Sequence, residues 1–139
     1  MSKAMQLTLK AGDRVFINGA VLRANRKVTL ELLNDATFLL EGHVLQPEDT
    51  TTPLRQLYFV LQAALMDPQN APAAERLFSG LMFRTRSAFS SGPILSGLTT
   101  AEALVEAGRC FDALREIRRL LPAEAEILAG ARLPVAEAA

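Results

Sequence analysis

The sequence predicts an α+β fold: an N-terminal antiparallel β meander of about five short strands, followed by a C-terminal helical half of four to five helices. Three observations carry this reading. The hydrophobic period changes from two to between three and four near residue 52. Asn18-Gly19 separates two alternating runs as a two-residue hairpin turn would. Thr52-Pro53 supplies an N-cap and a first-turn proline where the helical spacing begins. With half of its 139 residues apolar and 22% charged, the chain is too hydrophobic for intrinsic disorder and long enough to bury a core. The expected organisation is a single domain over 1–139, with a β-rich portion at 1–50, a helical portion at 51–130 and a frayed tail at 131–139.

The strand candidates are residues 6–9, 14–17, 20–23, 27–33 and 37–40, short runs bounded by Gly12, Asn18-Gly19, Asn25 and Asn34-Asp35. A type I′ turn needs positive φ at both central positions, which Asn and Gly tolerate best, so the 14–23 hairpin is the strongest local expectation. Such a meander leaves two open sheet edges, and pairing with a second copy is one way to close them, which makes a homo-oligomer a candidate state.

After Thr52-Pro53, Leu54, Leu57, Tyr58, Leu61 and Leu65 share one helical face, and Asp67-Pro68 ends it. A second helix is expected over about 71–89 with Leu77, Phe78, Leu81, Met82 and Phe89 as its stripe, broken by Ser91-Gly92-Pro93. Thr99 with Glu102 has capping-box spacing and is expected to open a third region, with Gly108 as a candidate break. Pro122 is expected to start a last short helix through Ala129.

Charge narrows the function classes. Fifteen basic and fifteen acidic residues give no net charge, so any nucleic-acid site must be local. It is local: residues 1–30 hold six basic groups against Asp13 alone, while residues 31–52 hold five acids and neither Lys nor Arg. Cys110 is the sole cysteine, which excludes an internal disulfide and fits a reducing compartment, so a cytoplasmic location is expected. No apolar run approaches the ~20 residues that span a bilayer, so no membrane partner is expected, and the N-terminus lacks the apolar stretch of a signal peptide. His43 is the only histidine and no ligand pair has zinc-like spacing, so neither a metal nor another cofactor is expected. A P-loop, a dinucleotide fingerprint and a nucleophile elbow are likewise missing from the sequence, and a non-enzyme is the reading.

The hairpin is more informative. Its register would set Ile17 opposite Ala20, Phe16 opposite Val21, Val15 opposite Leu22 and Arg14 opposite Arg23. Like charges directly opposite destabilise a sheet unless an anion or a carboxylate lies between them. Alternation puts Phe16 on the arginine face and Val15, Ile17 and Leu22 on the other. An aromatic ring flanked by guanidinium groups suits single-stranded RNA, whose bases stack while its phosphates take the charge. Arg14, Phe16, Arg23, Arg26 and Lys27 are therefore candidate RNA contacts, and Arg55, poorly placed for the dipole in a first helical turn, is a sixth. The competing reading packs Phe16 and Val21 beneath the helices while the arginines reach solvent or pair with acids of residues 31–52, with Asp13 or Glu31 as the ready counter-charge. For Arg115, Arg118 and Arg119 a solvated charged face is the default.

The run Leu7 to Val21, followed by Thr52-Pro53-Leu54-Arg55-Gln56-Leu57-Tyr58-Phe59, resembles the FlbT family of flagellin regulators. Phe111-Asp112-Ala113-Leu114 and the basic stretch after it extend the likeness more loosely. The resemblance implies a cytoplasmic, non-enzymatic post-transcriptional regulator that associates with the 5′ untranslated region of flagellin mRNA and lowers its translation or lifetime. The alternative is a flagellar protein-interaction module, a flagellin chaperone or an adaptor to another flagellar regulator, working without direct RNA contact.

Overall fold

The computed structural model describes the backbone of residues 5–34 and 37–138 and the side chains of 6–34 and 37–130. Five antiparallel strands precede four helices, the expected α+β architecture: β1 (Met5–Leu9), β2 (Arg14–Ile17), β3 (Ala20–Arg23), β4 (Val28–Leu32), β5 (Phe38–Leu40), α1 (Pro53–Met66), α2 (Ala71–Ala88), α3 (Gly92–Glu106) and α4 (Cys110–Ala138).

The strands do not pair as a consecutive meander. β1 pairs with β4 in a two-stranded sheet, and β2 lies between β3 and β5 in a second sheet. The two ladders share one register: five residues on from Leu9 and five back from Val28 are Arg14 and Arg23, themselves partners. Residues 5–32 thus form one long antiparallel ribbon, broken where the turn at residues 10–13 meets Ala24. There the Gly12 amide donates to the Ala24 carbonyl (2.7 Å), and the Ala24 amide donates to the Asp13 carbonyl (2.9 Å). The bend lets the halves close on one another, with Leu7 and Leu9 of β1 sharing a small core with Val15, Ala24 and Phe38.

The other face of the β3-β2-β5 sheet meets the helices. Leu39 joins their core and Phe16, its cross-strand partner, packs against it. Leu54, Leu57 and Leu61 of α1 are fully buried, and each such side chain contributes about 1.5–3 kcal/mol. α1 packs between α2 and α4, and α3 lies against α4. Gly97 of α3 permits the close approach of Leu120, since a Cβ there would fall 2.6 Å from a Leu120 methyl.

Two helix starts differ from expectation. Ser91, not Thr99, opens α3: its hydroxyl accepts from the Ile94 amide, and Pro93 sits in the first turn, where a missing N–H costs nothing. Ser91-Gly92-Pro93 is therefore both a break and a start. The end of α3 follows expectation, with Gly108 at φ 77° and the Arg109 amide closing back on the Leu104 carbonyl (2.8 Å). Pro122 does not begin a new helix; it lies inside α4 and forgoes only the amide bond to the Arg118 carbonyl. Packing overrides that loss, because Leu120 and Glu124 on either side are buried against the other helices. The frayed tail expected at 131–139 falls outside the residues whose side chains are described.

Candidate nucleic-acid interface

The hairpin forms as its turn chemistry requires: Asn18 and Gly19 adopt φ 50° and 85°, and Arg14 stands opposite Arg23. The repulsion is relieved from one side. Glu41, which directly follows β5, reaches Arg14 through three hydrogen bonds: the backbone amide donates to Oε1 (2.9 Å), Nε to Oε2 (3.2 Å) and Nη2 to Oε2 (3.0 Å). These bonds hold the Glu41 carboxyl below the usual glutamate range, the Arg14 side-chain bond contributing most. Both side chains are nearly half exposed, so water screens the pair and its contribution to stability is small. The counter-charge is thus Glu41 rather than Asp13 or Glu31; Asp13 instead accepts from the Lys10 backbone amide (2.9 Å).

Arg23 is left exposed, and so are Arg26 and Lys27 in the link to β4 and Lys10 at the end of β1. All four lie at the break in the ribbon, where Gly12 and Asp13 are hydrogen-bonded to Ala24. Among the described residues none of the four lies within salt-bridge distance of a carboxylate. The ribbon therefore turns a corner that carries four uncommitted cations.

Phe16 does not share that open surface. Alternation puts its ring on the Arg14 side of the ribbon, but α1 covers this side, and the ring is half-buried against the helical core. Its remaining edge lines a cleft of about 490 Å³ between β2 and α1, walled by Phe59, Met66, Val44 and Leu45, with the Arg14–Glu41 pair also on its wall. Arg55 stands apart from both features, its Nη1 donating to the Asp49 carbonyl (3.3 Å). Of the six candidate contacts, the fold brings Arg23, Arg26 and Lys27 into the corner, pairs Arg14, draws Phe16 inward and leaves Arg55 on another element.

Three polar side chains, Gln62, Tyr58 and Glu124, make long-range contacts that join α1 to its surroundings and whose partners are not legible in the sequence. Gln62, buried on α1, accepts from the Leu45 amide (2.7 Å) and donates to its carbonyl (2.8 Å), fixing the cleft wall. The Tyr58 hydroxyl donates to the His43 carbonyl and accepts from Arg118 Nε (3.1 Å). Glu124, 2% exposed, accepts from the Thr52 hydroxyl (2.6 Å) and the Leu54 amide (2.9 Å), so a carboxylate of α4 caps α1. The signal available in sequence was a polar residue on an apolar helical face, as at Gln62 beside Leu61 and Tyr58.

Among the described residues no group of three His, Cys, Asp or Glu side chains could hold a metal ion, and no helix is long and apolar enough to cross a membrane.

A family model described as "Flagellar protein FlbT" matches residues 5–128. A protein of Brucella anthropi, named "Probable flagellum biosynthesis repressor protein FlbT", is 55% identical over 132 residues, covering 95% of this chain and 86% of its own length. Proteins of the same name from Brucella ovis and Brucella suis biovar 1 are each 55% identical over 125 residues, covering 90% of this chain and 82% of theirs. No solved structure matches. The family match takes in both the ribbon with its cationic corner and the helical half that supports it, and the chain belongs to the FlbT family of flagellar proteins.

Proposed function

We propose that this chain is a cytoplasmic, non-enzymatic regulator of flagellum biosynthesis that associates with the 5′ untranslated region of flagellin mRNA and represses its translation or promotes its decay. Its relatives are named as repressors of flagellum biosynthesis, which supports the regulatory part. The observation that supports RNA as the target is the ribbon corner, where Lys10, Arg23, Arg26 and Lys27 are exposed and none has its side-chain nitrogen within salt-bridge distance of a described carboxylate. Although the chain as a whole is neutral, this local surplus attracts polyanions to the corner. Arg14, held by Glu41, is a switchable fifth contact, since a phosphate can compete for a half-exposed ion pair.

The test is an electrophoretic shift of the flagellin leader RNA over a salt series. Log affinity falls linearly with log salt, by about 0.7 for each phosphate engaged on a single strand. The triple variant Arg23→Ala/Arg26→Ala/Lys27→Ala binds at least tenfold more weakly with a shallower slope. Equal affinity and slope in that variant would remove the corner as the contact.

A second reading, a flagellar protein-interaction module that holds flagellin or another flagellar regulator, draws on the cleft between β2 and α1, where Phe16, Phe59 and Met66 stand beside polar side chains. It expects purified flagellin to bind the chain and Phe59→Ala or Met66→Asp to abolish that binding. Flagellin binding unaltered in both variants, or none by the native chain, counts against it.

A further inference from the structure

We infer that Arg115 and Arg118 of α4 form a second phosphate contact for single-stranded RNA, on the helical half of the molecule; this extends the RNA reading above and rests on it. The argument begins with ion pairing along α4. Arg109 takes Asp112 and Arg119 takes Glu116, each at i,i+3, while Glu124 is consumed by Thr52 and Leu54. Every described carboxylate from 110 to 124 is thereby committed, and neither Arg115 nor Arg118 lies within salt-bridge distance of an acid among the described residues.

Each of the two guanidinium groups is oriented by an aromatic ring instead. Arg115 Cζ lies 5.9 Å from the Phe111 centroid, and that ring packs on Phe38 of β5 at 5.2 Å. Arg118 Cζ lies 5.8 Å from the Tyr58 centroid, and its Nε donates to the Tyr58 hydroxyl. Cation–π contact at this distance leaves the terminal guanidinium nitrogens unconsumed. Nη1 and Nη2 of both residues make no hydrogen bond to any described group, so two forks remain open. At i,i+3 on a helix the two side chains are neighbours, about 5–6 Å apart at Cβ, close enough to grip one phosphodiester between them.

Four forms are compared for binding to the leader RNA: the native chain, Arg115→Ala, Arg118→Lys and the combination. Arg115 makes no described hydrogen bond, so its removal tests the contact without touching the Tyr58 link, and Arg118→Lys keeps the charge while losing the fork. The combination is expected to bind about tenfold more weakly, with a salt slope shallower by about 0.7 for each phosphate lost, whereas Arg119→Ala binds as the native chain does. Native affinity and slope in the combination, with binding lost in the ribbon-corner triple variant, would overturn this inference and leave the RNA reading intact.

A readout independent of RNA uses His43, the sole histidine. Burial, and then the Arg118 charge, hold its pKa below the ordinary value. Inorganic phosphate seated on Arg118 is expected to raise that pKa, followed by NMR, and the rise is expected to vanish in the combination. If the native chain ignores the leader, the RNA reading fails and this titration decides the phosphate site: an unmoved His43 pKa overturns it too.

Discussion

Replacing Glu124 with alanine tests the buried polar contact between α4 and the start of α1. In the native chain its carboxylate, 2% exposed, accepts from the Thr52 hydroxyl at 2.6 Å and the Leu54 amide at 2.9 Å, at the positive end of α1. Hydrogen bonds to a charged group contribute about 1.5–3 kcal/mol each, and a carboxylate at a helix N-terminus adds about 0.3–1 kcal/mol. Against this, alanine abolishes the cost of keeping a charge away from water, about several kcal/mol in proteins. The remainder is governed by the Leu54 amide, which alanine leaves buried without an acceptor at a cost of about 1–3 kcal/mol, and by the cavity left by the lost side chain. A net loss of about 3 kcal/mol follows, which for a chain of this size lowers Tm by about 10 °C. Urea unfolding followed by circular dichroism measures it, with an unchanged slope showing that only stability has moved. Glu124→Gln keeps an acceptor for Leu54 and a donor for Thr52 and is expected to lose about half as much. A Glu124→Ala chain within about 0.5 kcal/mol of native stability, the scatter of ordinary surface substitutions, would refute the assignment of Glu124 as the cap of α1.

Three further outcomes follow from individual contacts. Gly97→Ala places a Cβ 2.6 Å from a Leu120 methyl and 3.0 Å from its Cγ, so it is expected to destabilise by about 1–2 kcal/mol despite alanine's better helix propensity; Gly97→Ala/Leu120→Ala should lose less than the sum of its parts, as urea midpoints would report. Glu41 has a folded pKa below its unfolded one, so its contribution is present above the unfolded value and is lost as pH falls through the folded value; in Arg14→Ala the NMR-measured Glu41 pKa should return to the ordinary glutamate range and this part of the acid dependence should flatten. Burial first, and Glu75 second, raise the Cys110 thiol to about 11, so at pH 8 its thiolate fraction is about a hundredfold below that of an ordinary cysteine, alkylation is slow, and Glu75→Gln should accelerate it.

How far the fold was legible follows from the range of each determinant. The hairpin register was readable because Asn18 and Gly19 take positive φ more cheaply than other residues and the flanking alternation leaves one pairing. The start of α1 was readable because Thr52 caps it three residues ahead of Arg55. The start of α3 differs from expectation because Thr99 and Glu102 have capping spacing yet lie mid-helix, while Pro93, expected to break a helix, serves as a first-turn residue. Pro122 differs in the converse sense: expected to open a helix, it lies within α4, because the contacts that carry α4 through it come from other helices. For the candidate interface, the excess of cations in residues 1–30 was plain in the sequence, but which of them stay free was not. Glu41 reaches Arg14 across 27 positions, and Glu124 reaches Thr52 across 72.

Sequence alone determined the quantities that depend on neighbours along the chain: strand and helix periods, the turn at Asn18-Gly19, the cap at Thr52, and a basic stretch followed by an acidic one. Tertiary structure decided which strands pair, which side of the ribbon α1 covers and which charges meet. The reason is that backbone dihedrals and side-chain period are set locally, whereas burial and desolvation depend on layers that meet only after folding. Phe16 and Arg14 share a face by alternation, yet only the packing of α1 draws Phe16 partly inward there, while Arg23, Arg26 and Lys27 stay in solvent.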